Sequence, residues 1–301
     1  MTFAWSGVFP AVTTKFKDDE SLDFAAMERH FQFQLDAGVH GLIVVGSLGE
    51  NGVLTFDEKL EILKTALAVA DGRVPVLATI AETTTRAARA FAEQGAALGA
   101  DGFMVLPGMR YTADDREVET HLRAVADASD RPIMLYNNPV TYGMDLPPEM
   151  LLRLADEPKF VAVKESSDDV RRVTDIINLC GDRYRLFCGV DNLAMESLLM
   201  GSHGWVAGLV CAFPHETVAV YNAVCEGNLE EARRIYRWFM PLLHLDVHTK
   251  LVQNIKLAET LVGVGTEHVR APRLPLTGRE REAVTATINA ALAARPLPVG
   301  V

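Results

Sequence analysis

Short apolar segments alternate with amphipathic segments along most of this chain, and the alternation predicts strands joined by helices. The apolar segments lack a polar face, which is typical of parallel strands that are covered by helices on both sides. They span residues 7–12, 41–45, 74–80, 102–106, 132–136, 160–163, 184–188 and 205–209. Eight parallel strands with helical crossovers close into a barrel, so the pattern predicts an α/β protein with a (β/α)8 TIM barrel.

A glycine-containing phrase recurs at three predicted helix-to-strand junctions, at residues 38–44, 99–105 and 201–207. In each phrase one glycine follows a helix and a second glycine opens a buried strand, as repeated units of a barrel require. After about residue 213 the strand pattern stops, and residues 218–226, 229–245, 249–262 and 279–294 are predicted to be helical. We therefore expect a barrel domain over residues 1–225 and a C-terminal helical region over residues 226–301.

Composition and charge restrict the class of function. Of the 301 residues, 49% are apolar and 23% are charged, as in ordinary soluble proteins. The formal net charge of −11 argues against binding to nucleic acid or to an anionic membrane. The four cysteines have neither a C-x-x-C nor a zinc-binding spacing, and no apolar run resembles a signal peptide or a membrane span. We expect a cytoplasmic protein with reduced cysteines.

The segment from Phe160 to Asp168 carries the most specific chemical signal. An apolar strand pattern ends at Lys164, and a polar turn follows it. A lysine at the exit of a buried strand is partly desolvated, which favours the neutral, nucleophilic amine. Lys164 is therefore a candidate Schiff-base lysine, although this pattern by itself also fits a lysine that extends from a strand end into solvent.

Two other predicted strand ends carry polar groups, and barrel enzymes place their chemistry at such ends. Residues 46–50 form a glycine-flanked turn whose backbone N–H groups, together with the Ser47 hydroxyl, could bind a carboxylate. Tyr136 ends another strand, and its phenol could move protons to and from a carbon next to an imine. Taken alone, the first motif also fits an ordinary turn and the second fits a buried aromatic residue.

Three motifs in this order resemble those of one enzyme family. They are Gly-Ser-x-Gly-Glu at residues 46–50, Tyr-Asn-x-Pro at 136–139 and Val-x-Val-Lys-Glu at 161–165. At three separate strand ends they resemble the dihydrodipicolinate synthase / N-acetylneuraminate lyase family of class I aldolase-like lyases, over nearly the whole chain. The resemblance implies a barrel enzyme, usually a homotetramer, that acts on a small-molecule 2-oxo acid or ketimine without a metal or organic cofactor.

The resemblance also implies roles for individual residues. Lys164 would form the Schiff base with the substrate, and Tyr136 would carry protons to and from the adduct. Ser47 and the amides of its turn would bind the substrate carboxylate, while Glu50 would be a structural residue. The positions implied to bind substrate are Gly46, Ser47, Leu48, Gly49, Thr141, Gly189 and Val206.

Departures from the synthase pattern narrow the expected reaction. Leu48 replaces a second hydroxyl residue, and Thr141 stands where those synthases carry an arginine that binds the carboxylate of an aldehyde substrate. Pro107 is followed by residues 108–110 (Gly-Met-Arg) instead of a tyrosine pair, one member of which reaches the neighbouring subunit in those synthases, and Tyr111 comes only later. Loss of a bidentate cation should weaken the binding of a second carboxylate.

Longer phrases at residues 136–143, 164–168 and 238–244 are similar to a catabolic branch of the family. That branch is the 1-pyrroline-4-hydroxy-2-carboxylate deaminase of bacterial hydroxyproline breakdown, which is our leading hypothesis. A dihydrodipicolinate synthase, or an aldolase or dehydratase for 2-keto-3-deoxy sugar acids, would use the same lysine and tyrosine, so both stay open.

Two alternatives come from other classes of protein. In a metal-dependent barrel hydrolase, His244 and His248 would lie on one face of a predicted helix and could bind a metal ion. That helix is not at a strand end and has no glutamate between the histidines, so we expect no metal site. The other alternative is a non-catalytic ligand-binding barrel, against which the presence of both Lys164 and Tyr136 argues.

Overall fold

The structure is a computed structural model that describes residues 5–107 and 111–296. Within these residues eight parallel strands form one sheet, and each predicted strand is present with slightly shifted ends. The strands are β1 (Gly7–Pro10), β2 (Leu42–Val44), β3 (Val76–Ile80), β4 (Gly102–Val105), β5 (Ile133–Asn137), β6 (Phe160–Glu165), β7 (Arg185–Cys188) and β8 (Gly204–Ala207).

The sheet closes into a barrel. Its strand order is β1-β8-β7-β6-β5-β4-β3-β2, so consecutive strands are neighbours and β8 pairs with β1. The seam between β1 and β2 is joined by a parallel bridge between Ala11 and Ile43, and the Val12 amide donates to the Ile43 carbonyl at 3.0 Å. The predicted (β/α)8 TIM barrel is therefore confirmed.

Helices cover the outside of the barrel and continue beyond its last strand. The helices before β8 are α1 (Phe24–Asp36), α2 (Phe56–Ala70), α3 (Thr85–Leu98), α4 (Asp115–Ala126), α5 (Pro139–Tyr142), α6 (Pro148–Leu154), α7 (Arg171–Cys180) and α8 (Ala194–Leu199). The helices after it are α9 (Pro214–Cys225), α10 (Leu229–Leu243), α11 (Leu251–Leu261) and α12 (Gly278–Ala293). The larger apolar core lies between helices and strands, and a smaller core fills the barrel interior.

The junction between α10 and α11 differs from the prediction. α10 ends at Leu243 and α11 begins at Leu251, so residues 244–250 form turns. His244 and His248 therefore do not share the face of one helix, and the predicted geometry for a histidine pair is wrong. His244 instead contacts Asn192, with 3.2 Å between its Nδ1 and the amide nitrogen.

The repeated glycine phrase has a packing cause. The first glycine of each phrase ends a helix with a positive φ of 81°, 100° or 110°, which glycine adopts without strain. The second glycine leaves room for an aromatic ring: at Gly204, an added Cβ would overlap the Phe187 ring and crowd the Gly7 carbonyl oxygen. The second glycines of the other two phrases lie against aromatic rings in the same way.

The cysteines are spread over the fold and form no disulfide within the described residues. Cys188 and Cys211 are buried, Cys180 is half-buried and Cys225 is exposed. Burial raises the pKa of the Cys188 thiol to about 12, so that thiol is unreactive at neutral pH. Among the described helices, none is both long and apolar enough to cross a membrane.

We expect Gly204→Ala to lower the free energy of unfolding by about 1–3 kcal/mol, because the new methyl group overpacks the contact with Phe187. Gly52→Ala is the matched control, since an added Cβ there meets no other heavy atom within 4 Å. Urea unfolding followed by circular dichroism measures both variants. Equal losses of stability would contradict the packing explanation.

Candidate active site

Lys164 and Tyr136 lie side by side inside the barrel. They are direct partners in the parallel ladder between β5 and β6, so their side chains point to the same face of the sheet. The Nζ atom of Lys164 lies 4.1 Å from the centre of the Tyr136 ring, and both side chains are buried. The register of two neighbouring strands thus brings together the lysine and the tyrosine that the sequence indicated.

Lys164 is held more rigidly than a residue at a strand exit would be. The prediction ended the strand before Lys164, whereas β6 continues to Glu165 and pairs Lys164 with Phe187 of β7 on its other side. Its aliphatic stem lies against Gly189, where an added Cβ would overlap both Lys164 and Ser166. Gly189 therefore provides the space that the lysine stem occupies.

A cavity of about 490 Å³ opens at the carboxyl ends of the strands. Most of the predicted site residues line this cavity: Gly46, Ser47, Leu48, Tyr136, Thr141, Lys164, Gly189 and Val206. Gly49 is the exception within the described residues. Its carbonyl accepts a hydrogen bond from the Thr14 hydroxyl at 2.6 Å, and it packs against the Val12 backbone beneath the cavity surface.

Tyr142 is a cavity residue that the sequence reasoning did not include. Its hydroxyl is hydrogen-bonded to the Ser47 hydroxyl, and its ring packs edge-on against Tyr136 with 6.2 Å between centroids. Tyr142 ends α5, which begins where the Asn138 side chain accepts a hydrogen bond from the Thr141 amide at 2.9 Å. Burial, together with the neighbouring Tyr136, raises the pKa of Tyr142 to about 12, so its hydroxyl stays protonated at neutral pH.

Glu50 does not line the cavity, in agreement with its predicted structural role. Its fully buried carboxylate forms an ion pair with Lys256 of α11 at 2.5 Å, and it accepts a hydrogen bond from the Arg270 amide at 3.2 Å. Lys256 also donates to the His268 carbonyl at 2.6 Å. Burial lowers the pKa of Lys256 to about 8, against the opposing effect of Glu50. These contacts connect the turn at residues 46–50 to α11.

A second buried ion pair connects α11 to the segment after β1. Glu259 pairs with Lys15 at 2.5 Å and accepts a hydrogen bond from the Thr13 hydroxyl at 2.6 Å. Burial acts to raise the pKa of Glu259, but Lys15 and the other neighbours outweigh it and hold that pKa below its ordinary value. Because Lys256 and Glu259 lie on the same helix, α11 contributes the cation to one ion pair and the anion to the other.

One group of potential metal ligands lies close together in residues 5–107 and 111–296. It consists of His30, Cys211 and Glu259, whose donor atoms all lie within 4.8 Å of one another. Glu259 is already bound by the Lys15 ammonium, and a second cation beside that ammonium would be repelled. Burial lowers the pKa of His30 to about 4, so its imidazole is neutral at neutral pH. The group therefore fits a buried ion-pair network better than a metal site.

The turns between α10 and α11 form one side of the cavity, which the sequence reasoning did not anticipate. The lining residues from this part of the chain are Asp246, Val247, His248, Thr249 and Leu251. Asp246 packs against Gly208, the residue after β8, where an added Cβ would overlap the Asp246 carboxylate. The ion pairs of α11 hold this segment at the cavity mouth.

Tyr111 belongs to a different part of the surface. It is 60% exposed, and its hydroxyl donates to Glu117 of α4 at 3.3 Å. Residues 108–110, where the sequence departs from the synthase pattern, lie outside the described residues. Within this chain Tyr111 therefore packs near α4.

Comparisons with known proteins agree on one family. A model of the dihydrodipicolinate synthetase family matches residues 4–291. The 4-hydroxy-tetrahydrodipicolinate synthase of Exiguobacterium sibiricum is 33% identical over 279 residues, which cover 93% of this chain and 94% of that protein. Dihydrodipicolinate synthase from Thermotoga maritima has a TM-score of 0.90 at 27% identity, covering 96% of this chain and 99% of that one. YagE of E. coli, a family member solved in complex with pyruvate, has a TM-score of 0.91 at 26% identity, covering 96% of this chain and 99% of that one.

We expect Glu50→Ala to lower the free energy of unfolding by about 3–5 kcal/mol, because it leaves the buried Lys256 ammonium without its partner. The double variant Glu50→Ala/Lys256→Met removes both charges and should recover much of this loss. The control is Glu61→Ala, which breaks an exposed ion pair with Lys64 and should cost about 1 kcal/mol or less. Urea unfolding of the variants measures each effect. Similar losses for Glu50→Ala and Glu61→Ala would contradict the assigned role.

Proposed function

This chain belongs to the dihydrodipicolinate synthetase family and is therefore a class I lyase that forms a lysine Schiff base, and we propose that Lys164 is that lysine. The observation that carries the proposal is the contact of Lys164 with Tyr136 inside the cavity. Lys164 is also the sole lysine among the described residues that line this cavity.

The proposed roles follow from the neighbours of each group. Lys164 Nζ attacks C2 of the substrate, and the group displaced from C2 leaves with a proton. Tyr136 lies beside Nζ and accepts a hydrogen bond from Asn138 at 3.0 Å, so its hydroxyl is positioned to supply or accept protons. The substrate carboxylate is bound by the Ser47 hydroxyl and the amides of residues 46–48, which line the cavity. The hydrogen bond from Tyr142 orients the Ser47 hydroxyl.

We propose that the substrate is 4-hydroxy-1-pyrroline-2-carboxylate, a cyclic ketimine with one carboxylate. The cavity supports this choice because its described lining contains no arginine for a second carboxylate. Thr141, where the synthase pattern has arginine, lines the cavity together with the apolar Leu48. Thr141 and Leu48 are both compatible with a substrate that reacts without a second, aldehyde substrate.

The proposed reaction balances as a hydrolytic deamination. Addition of Lys164 to C2 opens the ring, and the ring nitrogen becomes a primary amine on C5. The Schiff base acidifies C3, whose proton passes to Tyr136, and the hydroxyl on C4 leaves as water. The unsaturated amine rearranges to an imine at C5, and hydrolysis there releases ammonia. Hydrolysis of the Lys164 adduct then gives 2-oxoglutarate semialdehyde, so one water is lost and two are consumed.

A second candidate function is 4-hydroxy-tetrahydrodipicolinate synthase, because relatives of this chain at 28–33% identity carry that name. An aldolase or dehydratase for 2-keto-3-deoxy sugar acids is a further candidate. These reactions would use the same Lys164 and Tyr136, with pyruvate or a pyruvate-like fragment attached to the lysine. Their substrates differ from the cyclic ketimine in having an open chain.

We also propose that the enzyme is a homotetramer, the usual assembly of this family. The chain mass is 32.9 kDa, so light scattering after size-exclusion chromatography should give about four times that value. A mass near that of one chain would contradict the proposal.

We expect borohydride reduction to attach 4-hydroxy-1-pyrroline-2-carboxylate to Lys164 when that compound competes with pyruvate, and we expect ammonia release without borohydride. Mass spectrometry of proteolytic fragments locates the adduct. Lys164→Ala should abolish it. Lys159→Ala should not, because Lys159 is a half-buried lysine that bonds the Ala126 carbonyl outside the cavity.

The competing outcomes separate the candidates. An adduct from pyruvate alone would favour a synthase or aldolase, and the absence of any adduct would overturn the role of Lys164. Tyr136→Phe keeps the ring against Lys164 but removes the hydroxyl, so turnover should fall by about 10²–10⁴-fold. Unchanged turnover in that variant would remove Tyr136 from the mechanism.

A further inference from the structure

Asp246 is a carboxylate of the cavity wall that the proposed mechanism does not yet use. It lies in the turns between α10 and α11 and lines the cavity together with Lys164. Within residues 5–107 and 111–296 its carboxylate accepts no hydrogen bond and forms no ion pair closer than 4.0 Å. A half-buried carboxylate without donors is poorly suited to carry a negative charge.

The neighbouring Asp191 has the opposite environment. It follows β7, is fully buried, and accepts hydrogen bonds from Trp205 Nε1 at 2.9 Å, the Leu209 amide at 2.8 Å and the Gly208 amide at 3.2 Å. Such donors stabilise the ionised form of a carboxyl group. Gly208 touches both acids, because its amide donates to Asp191 and the Asp246 carboxylate packs against its Cα.

We infer that the two carboxyl groups together carry a single negative charge. Burial raises the pKa of Asp246 well above its ordinary value, and the negative charge of nearby Asp191 raises it further, while Lys164 opposes the rise. Burial raises the pKa of Asp191 as well, but its N–H donors and Lys164 oppose that rise. Because Asp246 has no such donors, we infer that Asp191 is the member of the pair that ionises first and that Asp246 keeps its proton. Pairs of acids with such contrasting surroundings commonly divide acid and base roles in enzymes.

We propose that Asp246 is the acid that protonates the C4 hydroxyl as it leaves the Schiff-base intermediate. The inference rests on the proposed deaminase function and assigns it a second proton-transfer group. The C3 proton passes to Tyr136, electrons from the resulting enamine form the C3–C4 double bond, and the C4–O bond breaks. The Asp246 proton joins the leaving hydroxyl to form water. Asp246 recovers its proton at the end of the cycle, when water hydrolyses the protonated Lys164 Schiff base to the ketone and the free amine and one proton is released.

This role also bears on the choice between reactions. An aldolase must remove a proton from the C4 hydroxyl before the C3–C4 bond can break, which requires a base at that position. A dehydrating enzyme must add a proton to the same hydroxyl, which requires an acid. A protonated carboxyl group on the cavity wall suits elimination of water and does not suit cleavage or condensation of the carbon chain.

The test measures ammonia release by Asp246→Asn, which preserves the shape of the side chain but cannot donate an acidic proton. With 4-hydroxy-1-pyrroline-2-carboxylate we expect kcat to fall by about 10²-fold or more, with little change in KM. Borohydride should still trap the substrate on Lys164. The unhydroxylated compound 1-pyrroline-2-carboxylate should be trapped equally by wild type and variant, because it has no C4 hydroxyl to lose. Asp246→Glu should recover part of the lost rate.

The pH profile separates an acid from a merely structural residue. In the wild type, kcat should fall as rising pH deprotonates Asp246, and Asp246→Asn should lack that fall. The other titratable groups around Asp246 and the cavity are Lys164, Asp191, Tyr136, Tyr142, Asp168 and His248. Asp168→Asn is the charge control: Asp168 is the exposed carboxylate of the same cavity, and this variant should keep the wild-type pH profile.

The possible results distinguish failure of the proposed role of Asp246 from failure of the proposed deaminase function. A wild-type rate and pH profile in Asp246→Asn would overturn the inference while leaving the deaminase function in place. A wild-type enzyme that releases no ammonia would overturn the deaminase function and, with it, this role. Loss of the Lys164 adduct in Asp246→Asn would show that Asp246 acts on Schiff-base formation instead of elimination and would also overturn the inference.

Discussion

The attachment of α11 to the barrel is the constraint on which the site depends. Two buried ion pairs make this attachment, Glu50 with Lys256 and Lys15 with Glu259, and the charges on the helix have opposite signs. Removing either partner would leave an isolated charge in a fully buried place, which is far more costly than losing an exposed ion pair. The helix can therefore dock in one position and one orientation. That position brings the preceding turns, including Asp246, to the cavity mouth.

The groups proposed to react are positioned by the barrel itself. Lys164 and Tyr136 are neighbours because β5 and β6 pair in a register that places one beside the other, and a slip of one residue would turn one side chain out of the barrel. Groups on paired strands are held more precisely than groups on loops. The site thus combines a rigid floor from the strands with walls supplied by α5 and by the segment before α11.

The polar groups that line the cavity distinguish between the possible reactions of this family better than the barrel fold does. A barrel of this kind supports many chemistries, so function has to be argued from the site. Here one lysine lies among hydroxyl groups of Ser47, Tyr136 and Tyr142, and a carboxyl group faces it from the C-terminal region. This set offers nucleophilic attack and proton transfer, and its described part lacks an arginine for a second carboxylate.

The sequence by itself determined the strands, the barrel, and Lys164 with Tyr136, because apolar runs and the residues that end them are local properties of the chain. It did not place Tyr142 against Ser47 or Asp246 against Gly208, since those contacts depend on how separate segments pack. Gly49 illustrates the same limit: the motif indicated the turn, but packing decided that Gly49 lies beneath the cavity surface. The ion pairs join residues 206 and 244 positions apart, and no local pattern records such partners. Only the tertiary structure decided how α11 docks and therefore which C-terminal residues complete the site.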